Sequence, residues 1–155
     1  MADPDPKACG FDRIAHTADI GVRVRGRSLE ELFIHAAQAL FEVMLELPQR
    51  PGAATRAPDG ETISVTAEDL PTLLQGWLSE LLYRFVDEGR VGTGFAIRRL
   101  ERAAGTCALE AEVRSEPFDP ARHVPRTALK AVTFHQLRVE AEPGGTWVAQ
   151  VFFDV

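Results

Sequence analysis

Ile20-Gly21-Val22-Arg23-Val24-Arg25-Gly26-Arg27-Ser28-Leu29-Glu30-Glu31-Leu32-Phe33 holds the change of period from which the fold is read. Ile20, Val22 and Val24 alternate with Gly21, Arg23 and Arg25, the pattern of a strand with one buried face, and Gly26 ends it. Ser28-Leu29-Glu30-Glu31 is a capping box: the Ser28 hydroxyl accepts from the Glu31 amide while the Glu31 carboxylate reaches back. Behind it Leu29, Leu32, Phe33, Ala36, Leu40, Val43, Met44 and Leu47 fall on one stripe at gaps of three and four. That spacing predicts a helix, which Pro48 stops.

Working outward, residues 1–10 are polar and proline-containing and predict a flexible tail. Phe11 to Ile14 is a short strand, and His16 to Asp19 a connection. On the other side, Pro48 to Gly60 reads as a surface loop and Glu61 to Ala67 as a third strand. Asp69 caps a second helix, with Pro71 in its first turn. Leu70, Leu73, Leu74, Trp77, Leu78, Leu81, Leu82 and Phe85 form its stripe, dense enough to predict the more buried of the two helices. Gly89 to Gly94 reads as a turn-rich exit. Phe95 to Arg102 and Cys107 to Arg114 form a hairpin through Ala103-Ala104-Gly105-Thr106. Ser115 to Leu129 has no period and three prolines, as binding or docking loops do. Ala131 to Glu142 and Thr146 to Val155 read as two long strands around Pro143-Gly144-Gly145. The expected fold is α+β: a two-layer, mostly antiparallel sheet with two amphipathic helices packed on one face.

The 155 residues predict a single domain over residues 11–155, with 45% hydrophobic and 26% charged residues excluding wholesale disorder. A net charge of −6 argues against direct, charge-driven nucleic-acid binding, which needs a basic face. Two cysteines, Cys9 and Cys107, are too few for a disulfide framework and wrongly spaced for a zinc knuckle. Met-Ala-Asp-Pro-Asp-Pro is unlike a signal peptide and no apolar run is long enough to span a bilayer, so a cytoplasmic protein is expected, without a membrane partner.

Self-contained catalysis finds no motif: there is no His-Glu-x-x-His, Gly-x-Ser-x-Gly, Cys-x-x-Cys or Walker loop. What remains is a set of carboxylates. Asp19 lies where the strand at Ile20 begins. Asp154 follows the apolar end of the last strand, next to Val155. If these ends meet, hard oxygen donors converge on one point, which suits Ca²⁺ or Mg²⁺, or else Mn²⁺, better than zinc. Solvated strand ends are the plainer alternative. His16 lies three residues before Asp19, a weak ligand signal. His123, with Arg122 beside it and Lys130 nearby, offers positive charge to a phosphate or an acidic partner, or simply solvates the loop. His135 reads as a partly buried hydrogen bonder within a strand.

Taken together, His16-Thr17-Ala18-Asp19-Ile20-Gly21, Ser28-Leu29-Glu30-Glu31-Leu32-Phe33, Ala36-Ala37, Leu40-Phe41, Glu68-Asp69-Leu70, Trp77-Leu78-Ser79-Glu80-Leu81-Leu82, Ser115-Glu116, Arg122-His123, Leu129-Lys130-Ala131-Val132-Thr133-Phe134-His135 and Asp154-Val155 resemble the archease family in content and order. Ser115 stands where a glycine is usual, which puts the local backbone turn in question, and Phe134 stands where a tyrosine is usual. The resemblance implies a non-catalytic activator of the RtcB-type RNA ligase that joins tRNA halves, promoting its guanylylation and multiple turnover. It also implies divalent-cation ligands at Asp19, Asp154 and Val155 and a contact role for Lys130. A metal-dependent hydrolase using Asp19, Asp154 and His16, and a chaperone-like module with an apolar cleft between helices and sheet, are the competing expectations.

Overall fold

The structure is a computed structural model that describes residues 10–14, 19–48, 52–53 and 60–155. The expected tail up to residue 9, Cys9, the connection His16-Thr17-Ala18 and most of the loop between Pro48 and Gly60 lie outside the described residues.

In chain order the elements are β1 (Phe11–Ile14), β2 (Asp19–Gly26), α1 (Leu29–Met44), β3 (Leu45–Glu46), β4 (Gly52–Ala53), β5 (Glu61–Ala67) and α2 (Leu70–Glu88). They continue with β6 (Arg90–Ala103), β7 (Thr106–Pro117), β8 (Val124–Pro125), β9 (Ala131–Val132), β10 (Arg138–Ala141) and β11 (Trp147–Asp154). Among the described residues the strands make two main sheets, besides a two-stranded ribbon, where the sequence pattern suggested one. β1, β2, β11 and β10 run in that order, with β9 also pairing β11, while β4, β6, β7 and β5 form the second. β3 and β8 pair as a separate ribbon. All pairings are antiparallel except the short β4–β6 contact. The α+β class holds.

Both helices touch both sheets. α1 is therefore buried around most of its girth, from Ala36 through Phe41 without interruption, and it is α1 rather than α2 that is the more enclosed helix. Its small residues Ala36, Ala37 and Ala39 let it lie close to strands on either side, a role the count of large apolar residues conceals. Phe41 stacks on Phe95 of β6 at 6.1 Å between centroids, and Trp77 meets the same ring edge-on at 6.2 Å. The Trp77 indole N–H donates to the Phe33 carbonyl at 3.0 Å, so this ring joins the helices without an orphaned polar atom.

The helix caps form as expected. Ser28 accepts from the Glu31 amide at 3.1 Å, and Asp69 from the Thr72 amide at 2.8 Å. α1 stops at Met44, short of Leu47, because Leu45 turns extended and pairs with Pro125. The three glycines after α2 divide their work. Gly89, at φ 65°, is the left-handed cap that ends the helix. Gly92 lies within β6, where a Cβ would come 2.8 Å from the Phe41 and Phe95 rings. β6 thus starts at Arg90, earlier than expected. Ser115 lies in β7 opposite Gly92, and Arg90 donates to both its hydroxyl and its carbonyl at 3.0 Å. No turn is needed there, so a serine is accommodated. The expected strand from Ala131 to Glu142 is broken between Val132 and Arg138, where Gln136 adopts φ 50° and Leu137 N–H closes onto the Phe134 carbonyl. His135 consequently lies in an exposed turn rather than a strand, its ring edge-on to Phe152.

Hydrogen bonds from Thr72 hold the Asp69 carboxyl below its usual value. A lowered native value means the cap contributes fully above about pH 4 and is lost as pH falls through the depressed value. Asp69→Ala is expected to lower unfolding free energy by about 1 kcal/mol at neutral pH. Urea melts at pH 7 and pH 2.5 check this, with the difference between the two proteins narrowing at the lower pH.

Candidate functional site

The carboxylate pair is assembled by the β2–β11 register. Eight residues of β11 pair along β2, from Trp147 opposite Gly26 to Asp154 opposite Asp19. Residues directly opposite in an antiparallel pair project to the same face, with Cβ atoms about 4.5–5.5 Å apart. Ile20, Val22 and Val24 share the inner face with Ala149, Val151 and Phe153, against α1. Asp19 and Asp154, one step out of phase with them, therefore share the outer face.

That register is held close to the pair. The Phe152 ring lies over Gly21 in the next outer row, so near that a Cβ at position 21 would be 2.6 Å from Phe152 Cε1. Phe152 is only 2% exposed although it points away from the helices. Only glycine leaves room for this ring, which explains Gly21 in the Asp19-Ile20-Gly21 stretch.

β9 closes the other side of the pair. Val132 and Ala131 pair with Phe153 and Asp154, and the Gln75 amide of α2 donates to the Val132 carbonyl at 3.0 Å. The Lys130 N–H donates to the Asp154 carbonyl at 2.8 Å, and Thr133 donates to Phe152 through both its N–H and its hydroxyl. Lys130 is exposed and adjoins the carboxylates through its backbone. Val155, 42% exposed, follows Asp154 at the same edge.

His123 is placed elsewhere. It is 1% exposed, beneath the loop that follows β7, and both ring nitrogens are engaged. The Asp119 N–H donates to Nδ1 at 2.9 Å, so the ring proton sits on Nε2, which donates to Glu116 at 2.9 Å. Arg122 reaches the same carboxylate at 3.3 Å. His123 is thus the internal strut of the segment that runs on to Lys130, not a contact offered to solvent. Its burial leaves no periodic trace in sequence, since the loop around it has no period. His16 lies outside the described residues.

The donor set at the strand edge is two facing carboxylates plus the oxygens of Val155. Among the described residues no three His, Cys, Asp or Glu side chains gather as a metal-binding group. All of these donors are hard oxygens, which fits Ca²⁺ or Mg²⁺ chemistry. Two carboxylates directly opposed on neighbouring strands repel, and a cation or a cationic partner relieves that. The cavity against Phe41, Leu81 and Gly92 is about 10 Å³, too small for an apolar ligand. Among the described residues no helix is long and apolar enough to cross a membrane.

The Archease protein family profile matches residues 11–155. The protein archease of Pyrococcus furiosus is 37% identical over 145 residues, covering 94% of this chain and 98% of its own. That of Methanopyrus kandleri is 34% identical, covering 94% and 99%. A Methanobacterium thermoautotrophicum protein of known solution structure superposes with a TM-score of 0.73 at 29% identity, covering 95% of this chain and 99% of that one.

Two substitutions probe the register and the pair. Gly21→Val is expected to cost about 1–3 kcal/mol by displacing the Phe152 ring. Asp154→Asn is expected to raise stability by roughly 0.2–1 kcal/mol in chelator at low ionic strength, and the gain should shrink as salt is added. Thermal melts across a salt series read both. A destabilised Asp154→Asn protein would show that the two carboxylates do not repel.

Proposed function

The chain belongs to the archease family, and from that membership we propose that it is a non-catalytic activator of an RtcB-type RNA ligase, promoting the ligase's guanylylation and multiple turnover. The observation that supports this reading most is the pairing of Asp154 with Asp19 on the outer sheet face, with Lys130 bonded to the same strand end.

Asp19, Asp154 and an oxygen of Val155 are the groups that would hold a divalent cation. Such an ion would supply a hard positive charge able to polarise a phosphoryl oxygen or neutralise a developing one. The chain's own part is orientation. β2 and β11 hold the two carboxylates on one rigid edge, β9 and Gln75 fix the neighbouring strand, and the segment braced by His123 delivers Lys130 beside them. A preformed acidic edge presented to a partner's active site stabilises whichever partner state places a cation or cationic side chain against it. An activator works in this way by shifting populations rather than performing the chemistry.

A hydrolase would use the same carboxylates differently, turning over a phosphoester without any partner. Guanylylation of the cognate ligase with and without this chain is the deciding measurement. Substoichiometric chain is expected to raise the guanylylated fraction over repeated turnovers. Asp19→Ala and Asp154→Ala should each lose at least tenfold of that stimulation, about 1.4 kcal/mol or more, while melting cooperatively and no lower than the parent. Full stimulation by either variant, or phosphoester turnover by the chain alone with Mg²⁺ or Mn²⁺, overturns the reading.

A further inference from the structure

The outer face of the β1–β2–β11–β10 sheet carries a second cluster, further along β2 from Asp19. There the register lines up Arg23, Gln150 and Arg138 across three strands, with Arg25, Val148 and Glu140 in the next outer row. Together with Glu142 they line a concavity of about 280 Å³. Its lining sets three arginines against two glutamates, one of which, Glu142, pairs with Arg25, so the depression is locally positive in a chain of net charge −6.

The arginines are prepared to different degrees. Gln150, 6% exposed, lies deepest; its amide nitrogen donates to the Gln136 carbonyl at 3.0 Å and its oxygen accepts from the Arg138 guanidinium at 3.1 Å. Arg138 is thereby aimed across the sheet. Arg25 is steadied at the rim by Glu142 at 3.3 Å. Arg23 forms no ion pair among the described residues, although Asp12 is opposite it in the register. The roots of Arg23 and Arg25 are about 7 Å apart along the strand, and those of Arg23 and Arg138 about 10 Å apart across two strand spacings. All three side chains can converge above Gln150.

We propose that this concavity binds a phosphate monoester group. Planar guanidinium forks match phosphate oxygens two at a time, and Arg23 and Arg138, with no ion pair among the described residues, offer two such forks to a dianionic group. Glu140 and Glu142 bound the depression on the β10 side and repel a continuous polyanion, which selects a compact terminal phosphate. A nucleotide and a phosphorylated RNA end both present that group. The site is separate from the Asp19–Asp154 edge and stands or falls independently of the ligase reading.

Titration of the full chain, followed by amide chemical shifts and by calorimetry, tests it with four probes: inorganic phosphate, guanosine monophosphate, and one short RNA with and without a 5′-phosphate. Phosphate is expected to shift the amides of Arg23, Arg25, Val148 and Gln150. Arg23→Ala and Arg138→Ala should each weaken binding by about tenfold or more, with unchanged melting temperatures. Arg99→Ala, on the other sheet, should leave it unchanged. Tighter binding of the nucleotide, or of the phosphorylated RNA, names the source of the phosphate. The proposal is overturned if these amides do not respond, if the two arginine variants bind as the parent does, or if the RNA binds equally with and without its phosphate.

Discussion

The β2–β11 register is the constraint on which the pairing of Asp19 with Asp154 depends. Side chains alternate along a strand, so a slip of one residue would carry Asp154 to the inner face and bring Phe153 out. Two contacts oppose that slip from opposite sides of the sheet. On the inner face Val22, Val24, Ala149, Val151 and Phe153 are excluded from water against α1. On the outer face the Phe152 ring occupies the space over Gly21. The carboxylates are thus placed by apolar packing on their neighbours, and the repulsion between them is tolerated because the rest of the strand outweighs it.

The segment from Phe118 to Lys130 shows how an irregular stretch can be rigid. Its backbone is ordered by one buried imidazole that accepts from Asp119 and donates to Glu116, with Phe118 packed against the same ring at 5.8 Å and against Phe85 at 5.9 Å. Arg126 N–H closes onto the Met44 carbonyl at the end of α1, and β8 pairs with β3. The glutamate, arginine and histidine of this stretch form a scaffold whose product is the position of Lys130.

The outer sheet face is divided along its length. One end is acidic, at Asp19 and Asp154; the other carries Arg23, Arg25 and Arg138. Net charge alone, at −6, describes neither. A chain-wide value argues soundly against an extended basic surface and says nothing about a cluster of three residues, because screening confines each to its surroundings within about 10 Å.

Local chemistry carried much of the fold into the sequence. The alternation at Ile20, Val22 and Val24, the Ser28 and Asp69 caps, the leucine stripes and the hairpin turns are all short-range signals, and the structure contains each of them. Their places on the chain marked Asp19, Asp154 and Lys130 as candidates, and the resemblance implied roles for them. Tertiary structure decided what those signals could not hold. It separated the strands into two sheets, enclosed α1 on both sides, and ended that helix at Met44 through pairing with a loop distant in sequence. It broke the strand after Val132 and turned His123 inward. Above all it chose the register that sets Asp154 opposite Asp19. Periodicity names the face a residue occupies; only packing between elements remote along the chain selects which residue lies across from it.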